Sequence, residues 1–171
     1  MRVLGIAGWS GAGKTTLVTR LIPLLAERGV SVSTVKHARS FEIDHPGKDS
    51  YEHRAAGARE VLISSGARFA LVHELRNEGE PSLAELLRRL SPIDLVLIEG
   101  FKRGGHVKIE VHRQANGKPL LFPEDPTIRA LASDLQTPSA TLPHAHLDDV
   151  ARVAELVMQL AEPLDATLAQ L

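Results

Sequence analysis

Apolar positions along the chain switch between two spacings, and the switches lay out the elements. Residues 3–7 form a short apolar run closed by Gly8. Leu17, Leu21, Leu24 and Leu25 then recur at helical spacing until Gly29, a residue suited to end a helix. Pro23 lies inside that pattern and predicts a bend, because proline lacks the N–H that a helix needs and crowds the preceding turn. Residues 30–35 read as a second strand, which delivers Lys36 and His37 to its C-terminal end. Strand, helix and strand in this order form a βαβ unit, whose crossover is right-handed in nearly all proteins.

Further along, residues 38–50 are turn-rich and charged around Pro46-Gly47, and a helix is expected from Asp49 or Ser50 as N-cap to Ala58. Residues 60–64 and 68–73 read as two short strands around Ser65-Gly66. Leu83, Leu86, Leu87 and Leu90 place an amphipathic helix over 81–90. The run 93–98 is apolar apart from Asp94 and reads as a central strand buried on both faces of a parallel sheet. Strands are also expected at 107–111 and 128–132, with a proline-spaced loop at 118–126 between them. A last helix is expected from Asp148 or Asp149 to Leu160, with acidic residues at its positive end. The alternation predicts an α/β fold: a mostly parallel sheet with helices on both faces, three layers in all. A length of 171 residues with no linker or repeat predicts a single domain over 1–171.

Composition narrows the function classes. A formal net charge of -1 gives no electrostatic case for nucleic acid or an anionic membrane as partner. There is no cysteine, which excludes disulfides and thiolate metal sites and suits a reducing compartment. The N-terminus opens directly into the first strand and no apolar run is long enough to span a bilayer, so the expected location is the cytoplasm.

Gly8-Trp9-Ser10-Gly11-Ala12-Gly13-Lys14-Thr15 matches G-x-x-x-x-G-K-[ST] between a strand and a helix, the context a phosphate-binding P-loop requires. Its backbone N–H groups can wrap a di- or triphosphate, Lys14 can reach the β/γ-phosphates, and the Thr15 hydroxyl can ligate Mg2+. Ligands of parallel α/β sheets bind beyond the carboxyl ends of the strands, so three further segments qualify. One is Lys36-His37 and the loop holding Asp44, Lys48 and Asp49. Another is the buried strand that ends at Glu99-Gly100, where an acid can orient Mg2+ in the manner of a Walker B residue, or simply be a solvated acid. The last is Ala132-Ser133-Asp134: Asp134 can accept two N–H groups of guanine and so select GTP, or serve its loop. The guanine motif N-K-x-D is absent, since Asn116-Gly117-Lys118-Pro119 lacks its register. Of eight histidines only His144-x-His146 is tightly spaced, and both flank a polar loop. Lys102, Arg103, Lys108 and Arg113 make a basic stretch, either a solvated face or a surface for a phosphorylated cofactor or acidic partner.

Together these segments resemble the molybdopterin-guanine dinucleotide biosynthesis adapter family, MobB. The resemblance runs through the P-loop and Leu21-Ile22-Pro23, then Val35-Lys36-His37, Pro46-Gly47-Lys48-Asp49-Ser50, Ala56-Gly57-Ala58, Glu99-Gly100-Phe101-Lys102 and Ala132-Ser133-Asp134. It departs where the family often carries further histidines after Lys36-His37, since Arg39-Ser40 stand here. The resemblance implies a P-loop GTP-binding protein, usually a homodimer and at most a slow GTPase. Such a protein assists a MobA-type guanylyltransferase in attaching GMP to molybdopterin. The candidate cofactor site comprises Ser10, Gly11, Ala12, Gly13, Lys14, Thr15 and Thr16, with Lys36 and Asp134, and of these the resemblance carries over Gly11, Gly13, Lys14, Thr15 and Thr16 as phosphate and Mg2+ ligands. Lys14, Asp49 and Glu99 would carry any catalysis, and Thr15, Asp49 and Glu99 would surround Mg2+. The apolar stretch 107–122 is a candidate dimer surface. Two other classes remain open at this point: a small-molecule kinase or ATP-dependent synthase on the same fold, and a metal-delivery GTPase.

Overall fold

The computed structural model describes residues 1–135 and 141–171. In chain order its elements are β1 (Arg2–Ala7), α1 (Lys14–Glu27), β2 (Val32–Lys36), α2 (Asp49–Ala55), β3 (Glu60–Ser64), β4 (Phe69–His73), α3 (Leu83–Arg88), β5 (Leu95–Glu99), β6 (Lys108–His112), β7 (Ile128–Ser133), β8 (His144–His146), α4 (Val150–Leu160), β9 (Glu162–Pro163) and α5 (Leu164–Gln170). A 3-10 turn at Gln114–Asn116 interrupts the loop after β6. These elements form two compact units, Met1–His37 with Leu83–Leu171, and Ala38–Ser82.

The first unit is built on a sheet of order β2-β5-β1-β6-β7-β8. All these pairs are parallel, and β9 adds antiparallel to the start of β1. Side chains alternate across each strand, so β1 sends Leu4 and Ile6 to one layer and Val3 to the other. Leu17, Leu21 and Leu25 of α1 and Val153, Leu156 and Val157 of α4 cover the first layer. Leu83 and Leu87 of α3, with Leu164 and Leu168 of α5, cover the second. The expected three-layer α/β architecture with helices on both faces is what the chain adopts.

α1 runs unbroken through Pro23 and closes in a Schellman turn: Gly29 donates to Ala26 O (2.9 Å) and Val30 to Leu25 O (3.0 Å). The expected N-cap of α4 is Asp149, whose carboxylate accepts from Arg152 N. Asp94, the polar break in the central apolar run, accepts from Ser31 N (2.9 Å) and Ser31 Oγ (2.5 Å) and so ties the starts of β2 and β5.

Several elements differ from expectation. α2 starts after Lys48, not after an Asp49 or Ser50 cap, and ends at Ala55, three residues short. α3 keeps only 83–88 of its leucine pattern. His144 and His146, expected only to flank a polar loop, belong to a strand, β8, with His144 Nε2 3.0 Å from Ser133 Oγ. β9 and α5 follow the last expected helix and are too short to show a period of their own. Part of the candidate dimer surface is β6, which is buried between β1 and β7.

The second unit pairs β3 with β4 as an antiparallel hairpin, closed by Ser65 N donating to Arg68 O (2.9 Å). Arg54 of α2, nearly buried, binds three carboxylates: Glu74 (2.9 Å), Glu42 (3.0 Å) and Asp44. One face of the hairpin carries Leu62, Phe69 and Leu71, which are exposed.

A polar strip runs along the core of the first unit. Lys108, Glu110 and His112 alternate on one side of β6 and are all buried. Each holds part of the loop that follows: Lys108 Nζ donates to Thr127 Oγ1 (2.5 Å), Leu121 N and Phe122 N donate to the Glu110 carboxylate (2.8 and 2.9 Å), and His112 Nε2 meets Lys118 O (3.0 Å). Buried polar groups must find partners, and these find most of theirs in that loop, with Lys108 Nζ also donating to Gly104 O (2.6 Å) ahead of the strand. His106, at the head of the strip, is 1% exposed, and neither ring nitrogen has a partner among the described residues. Burial, helped by neighbouring Lys108, pushes its pKa down to about 4. The imidazole is therefore neutral when folded, while in the unfolded chain it takes a proton below about pH 6.5. Its stabilising contribution is complete above that pH and is lost as the pH falls toward 4, by about 2–3 kcal/mol. Denaturant unfolding of His106→Leu between pH 7 and 4 is expected to show a pH dependence shallower than wild type by about that amount.

Candidate functional site

The loop between β1 and α1 is shaped by two glycines. A Cβ on Gly8 (φ 139°) would collide with the Val111 carbonyl. Gly13 caps α1 at φ 94°, in the left-handed region that other residues reach at a cost. The turn they allow presents the first N–H groups of α1, which have no partner within the helix. Lys14 Nζ donates to Gly8 O (3.0 Å) and Trp9 O (2.9 Å), so its ammonium lies over the loop. Partial burial lowers the Lys14 pKa, and Lys102 and Lys36 push the same way while Glu99 opposes them. Several cations thus gather around one turn, as an anionic ligand requires.

Thr15 Oγ1 donates to the Glu99 carboxylate, 3.1 Å from one oxygen and 3.2 Å from the other. Lys36 Nζ lies 3.7 Å from Glu99 Oε2. Glu99, Lys36 and the P-loop meet because β2, β5 and β1 are paired in register, with Lys36 and Ile6 both opposite Glu99. After Glu99 the chain turns through Gly100 (φ 101°) and Phe101 (φ 46°), and the Phe101 ring packs on His37 at 5.1 Å. A hydroxyl and a carboxylate beside a phosphate-shaped turn are hard oxygen donors suited to Mg2+, which takes few protein ligands and completes its shell with phosphate and water.

The remaining sequence-predicted residues are placed as follows. Ser10, Gly11 and Ala12 form the crest of the loop, with Ala12 N donating to Trp9 O (3.2 Å). Thr16 is exposed in the first turn of α1. Asp134 follows β7, and its carboxylate accepts from Gln114 N at 2.7 Å with Arg113 Nη1 at 3.8 Å. Asp49 opens α2 in the second unit and is exposed.

Sequence reasoning missed the strap over the P-loop. Asn116 Nδ2 donates to Ser10 O (2.9 Å) and Trp9 Nε1 donates to Pro119 O (2.8 Å), while Lys102 stacks its ammonium 4.8 Å from the Trp9 ring. Asn116 fails the guanine motif but still touches the loop. The basic stretch also divides: Lys108 is buried and structural, whereas Lys102 and Arg113 stand at the site. The available signal was the alternation of Lys108, Glu110 and His112 within a buried strand, which demands a covering segment.

A P-loop closing the first strand of a parallel sheet, with an acid on the neighbouring strand against its threonine, defines a P-loop nucleotide-binding protein. Comparison with known proteins makes the assignment narrower. The model of the family MobB, "Molybdopterin guanine dinucleotide synthesis protein B", matches residues 3–134, and the chain belongs to this family. The molybdopterin-guanine dinucleotide biosynthesis adapter protein of Escherichia coli (strain K12) is 38% identical over 161 residues, 92% of this chain and 91% of that protein. The protein of the same description from Haemophilus influenzae is 42% identical over 120 residues, 69% of this chain and 67% of its own. A crystal structure of molybdopterin-guanine biosynthesis protein B superimposes with a TM-score of 0.73 at 32% identity, covering 92% of this chain and 99% of that one.

If Glu99 serves the metal, Glu99→Gln is expected to weaken Mg2+-dependent triphosphate binding about tenfold. With the metal chelated, its affinity should stay unchanged or rise slightly, because a negative charge near the phosphates is gone. Calorimetric titration with and without chelator separates the two; equal losses in both would remove Glu99 from the metal site.

Proposed function

We propose that this chain is the GTP-binding adapter of molybdopterin guanine dinucleotide synthesis, holding GTP for, or in concert with, a MobA-type guanylyltransferase that acts on molybdopterin. The observation that supports it is the Thr15–Glu99 contact at the mouth of a P-loop, in a chain of the MobB family. In this reading the backbone of Ser10, Gly11, Ala12 and Gly13, with Thr16, receives the phosphates. Lys14 exchanges its two carbonyl partners for the β/γ-phosphate oxygens, a stronger, charge-assisted contact. Thr15 and Glu99 would hold Mg2+, which would neutralise phosphate charge. Lys36 supports the γ-phosphate end through Glu99. Asp134 is the base selector, and guanine would take over the carboxylate that now accepts from Gln114 N.

Binding dominates over turnover in this account. Glu99 is committed to Thr15 and Lys36, so it positions ligands and is not free to act as a base. Hydrolysis is accordingly slow, and family membership favours an adapter over a small-molecule kinase. Two copies associate as a homodimer through the exposed Leu62, Phe69 and Leu71, apolar surface of the kind that marks a protein interface. The compartment is the cytoplasm, where GTP is available.

Affinity capture with the tagged chain, followed by identification of protein and nucleotide, tests the proposal. The expected result is recovery of a molybdopterin nucleotidyltransferase together with GTP. Lys14→Ala should lose the nucleotide, at a cost of about 2–3 kcal/mol in binding. Recovery of ATP, or turnover of a small acceptor at roughly 1–100 s⁻¹, would instead indicate a kinase.

A further inference from the structure

We infer that Arg113 is a phosphate-binding residue of this site, a cation carried to the P-loop by the strap after β6. The inference rests on the P-loop reading above and adds a ligand that the motif does not contain.

The strap fixes where Arg113 goes. Glu110, buried in β6, holds Leu121 N and Phe122 N, and His112 holds Lys118 O, so the strap is anchored from below. Asn116 and Pro119 then fasten it to Ser10 and Trp9. Arg113 is the first residue beyond β6 and faces the other end of the same turn. A Cβ placed on Gly13 would lie 3.6 Å from Arg113 Nη2 and 3.9 Å from its Nε. The guanidinium is therefore packed against the residue that launches α1, where unpartnered N–H groups and the positive end of the helix already favour an anion.

Its present partner holds it loosely. Arg113 Nη1 is 3.8 Å from Asp134 Oδ2, and both side chains are partly open to solvent, 44% and 25% exposed. Such exposed pairs contribute little, and the shorter contact of Asp134 is to Gln114 N at 2.7 Å. A phosphoryl oxygen offers the planar, multidentate partner that a guanidinium fits best. The pairing also links two parts of the site: a ligand that occupies the Asp134 carboxylate frees Arg113, and neutralising Asp134 should do the same.

The phosphoryl group could belong to the nucleotide or to a separate phosphate ester, so the test uses two probes, Mg2+–GTP and inorganic tripolyphosphate. Titrations are made on wild type, Arg113→Ala, Arg113→Lys and Asp134→Asn, with thermal unfolding confirming each fold. Arg113→Ala is expected to weaken both probes about tenfold or more, Arg113→Lys to recover part of the loss, and Asp134→Asn to bind tripolyphosphate a few-fold more tightly. A loss for both probes puts Arg113 on the nucleotide's own phosphates. Tripolyphosphate weakened with GTP unchanged puts it on a separate phosphate ester. If both probes bind Arg113→Ala as they bind wild type, or only GTP is weakened, the inference is overturned. Should Arg113→Ala not fold, Arg113→Lys decides by the same readings: undiminished binding of both probes overturns the inference. Failure of wild type to bind either probe overturns the P-loop reading itself.

Discussion

Parallel pairing of β1 with β5, with Ile6 opposite Glu99, is the constraint on which the site depends. Because β2 pairs with β5 in the matching register, Lys36, Glu99 and the end of β1 leave the sheet along one edge. A slip of one residue in either pair would turn the side chains of a strand to the opposite face. Glu99 would then enter the apolar layer and Ile98 the site. What prevents it is burial on both faces: Val96 and Ile98 belong to one layer, Leu95 and Leu97 to the other, all at 1% exposure or less. The hydrophobic core thus sets the alignment of a polar site at its rim.

The other flank of β1 depends on polar burial. Lys108, Glu110 and His112 occupy the face of β6 where apolar residues would have sufficed for packing alone. Their cost is offset by hydrogen bonds made mostly to the loop after β6, and burial raises the Glu110 pKa against the two N–H bonds it receives. The consequence is a loop of defined path, whose start and middle lie against the P-loop. The proposed phosphate site and the core architecture are linked through this strip.

Most of the fold was legible in the sequence where elements are long or doubly buried. The α1 leucines, the 93–98 run and the Asp149 cap each express one dominant period or one capping rule. The P-loop and Glu99 were legible because strand ends mark the ligand side of a parallel sheet. β8, β9 and α5 were not, because a few residues cannot establish a period against neighbouring loops. The strap was hidden for another reason: Trp9 meets Pro119 and Ser10 meets Asn116 across more than a hundred residues, and no local pattern encodes such a contact. Asn116 fits no guanine motif because its partner is the loop crest at Ser10 O. The hairpin strands β3 and β4 were legible as strands, but not as a separate sheet within a separate unit.

The proposed ligand site is the turn of residues 8–15, in a chain of the MobB family. The direct measurement is a crystal structure of the chain with Mg2+ and a non-hydrolysable GTP analogue. The account predicts the β- and γ-phosphates inside that turn, Lys14 Nζ withdrawn from Gly8 O and Trp9 O onto phosphate oxygens, and the metal beside Thr15 and Glu99. An analogue bound elsewhere, or a turn that keeps Lys14 on its own carbonyls at saturating ligand, would contradict it.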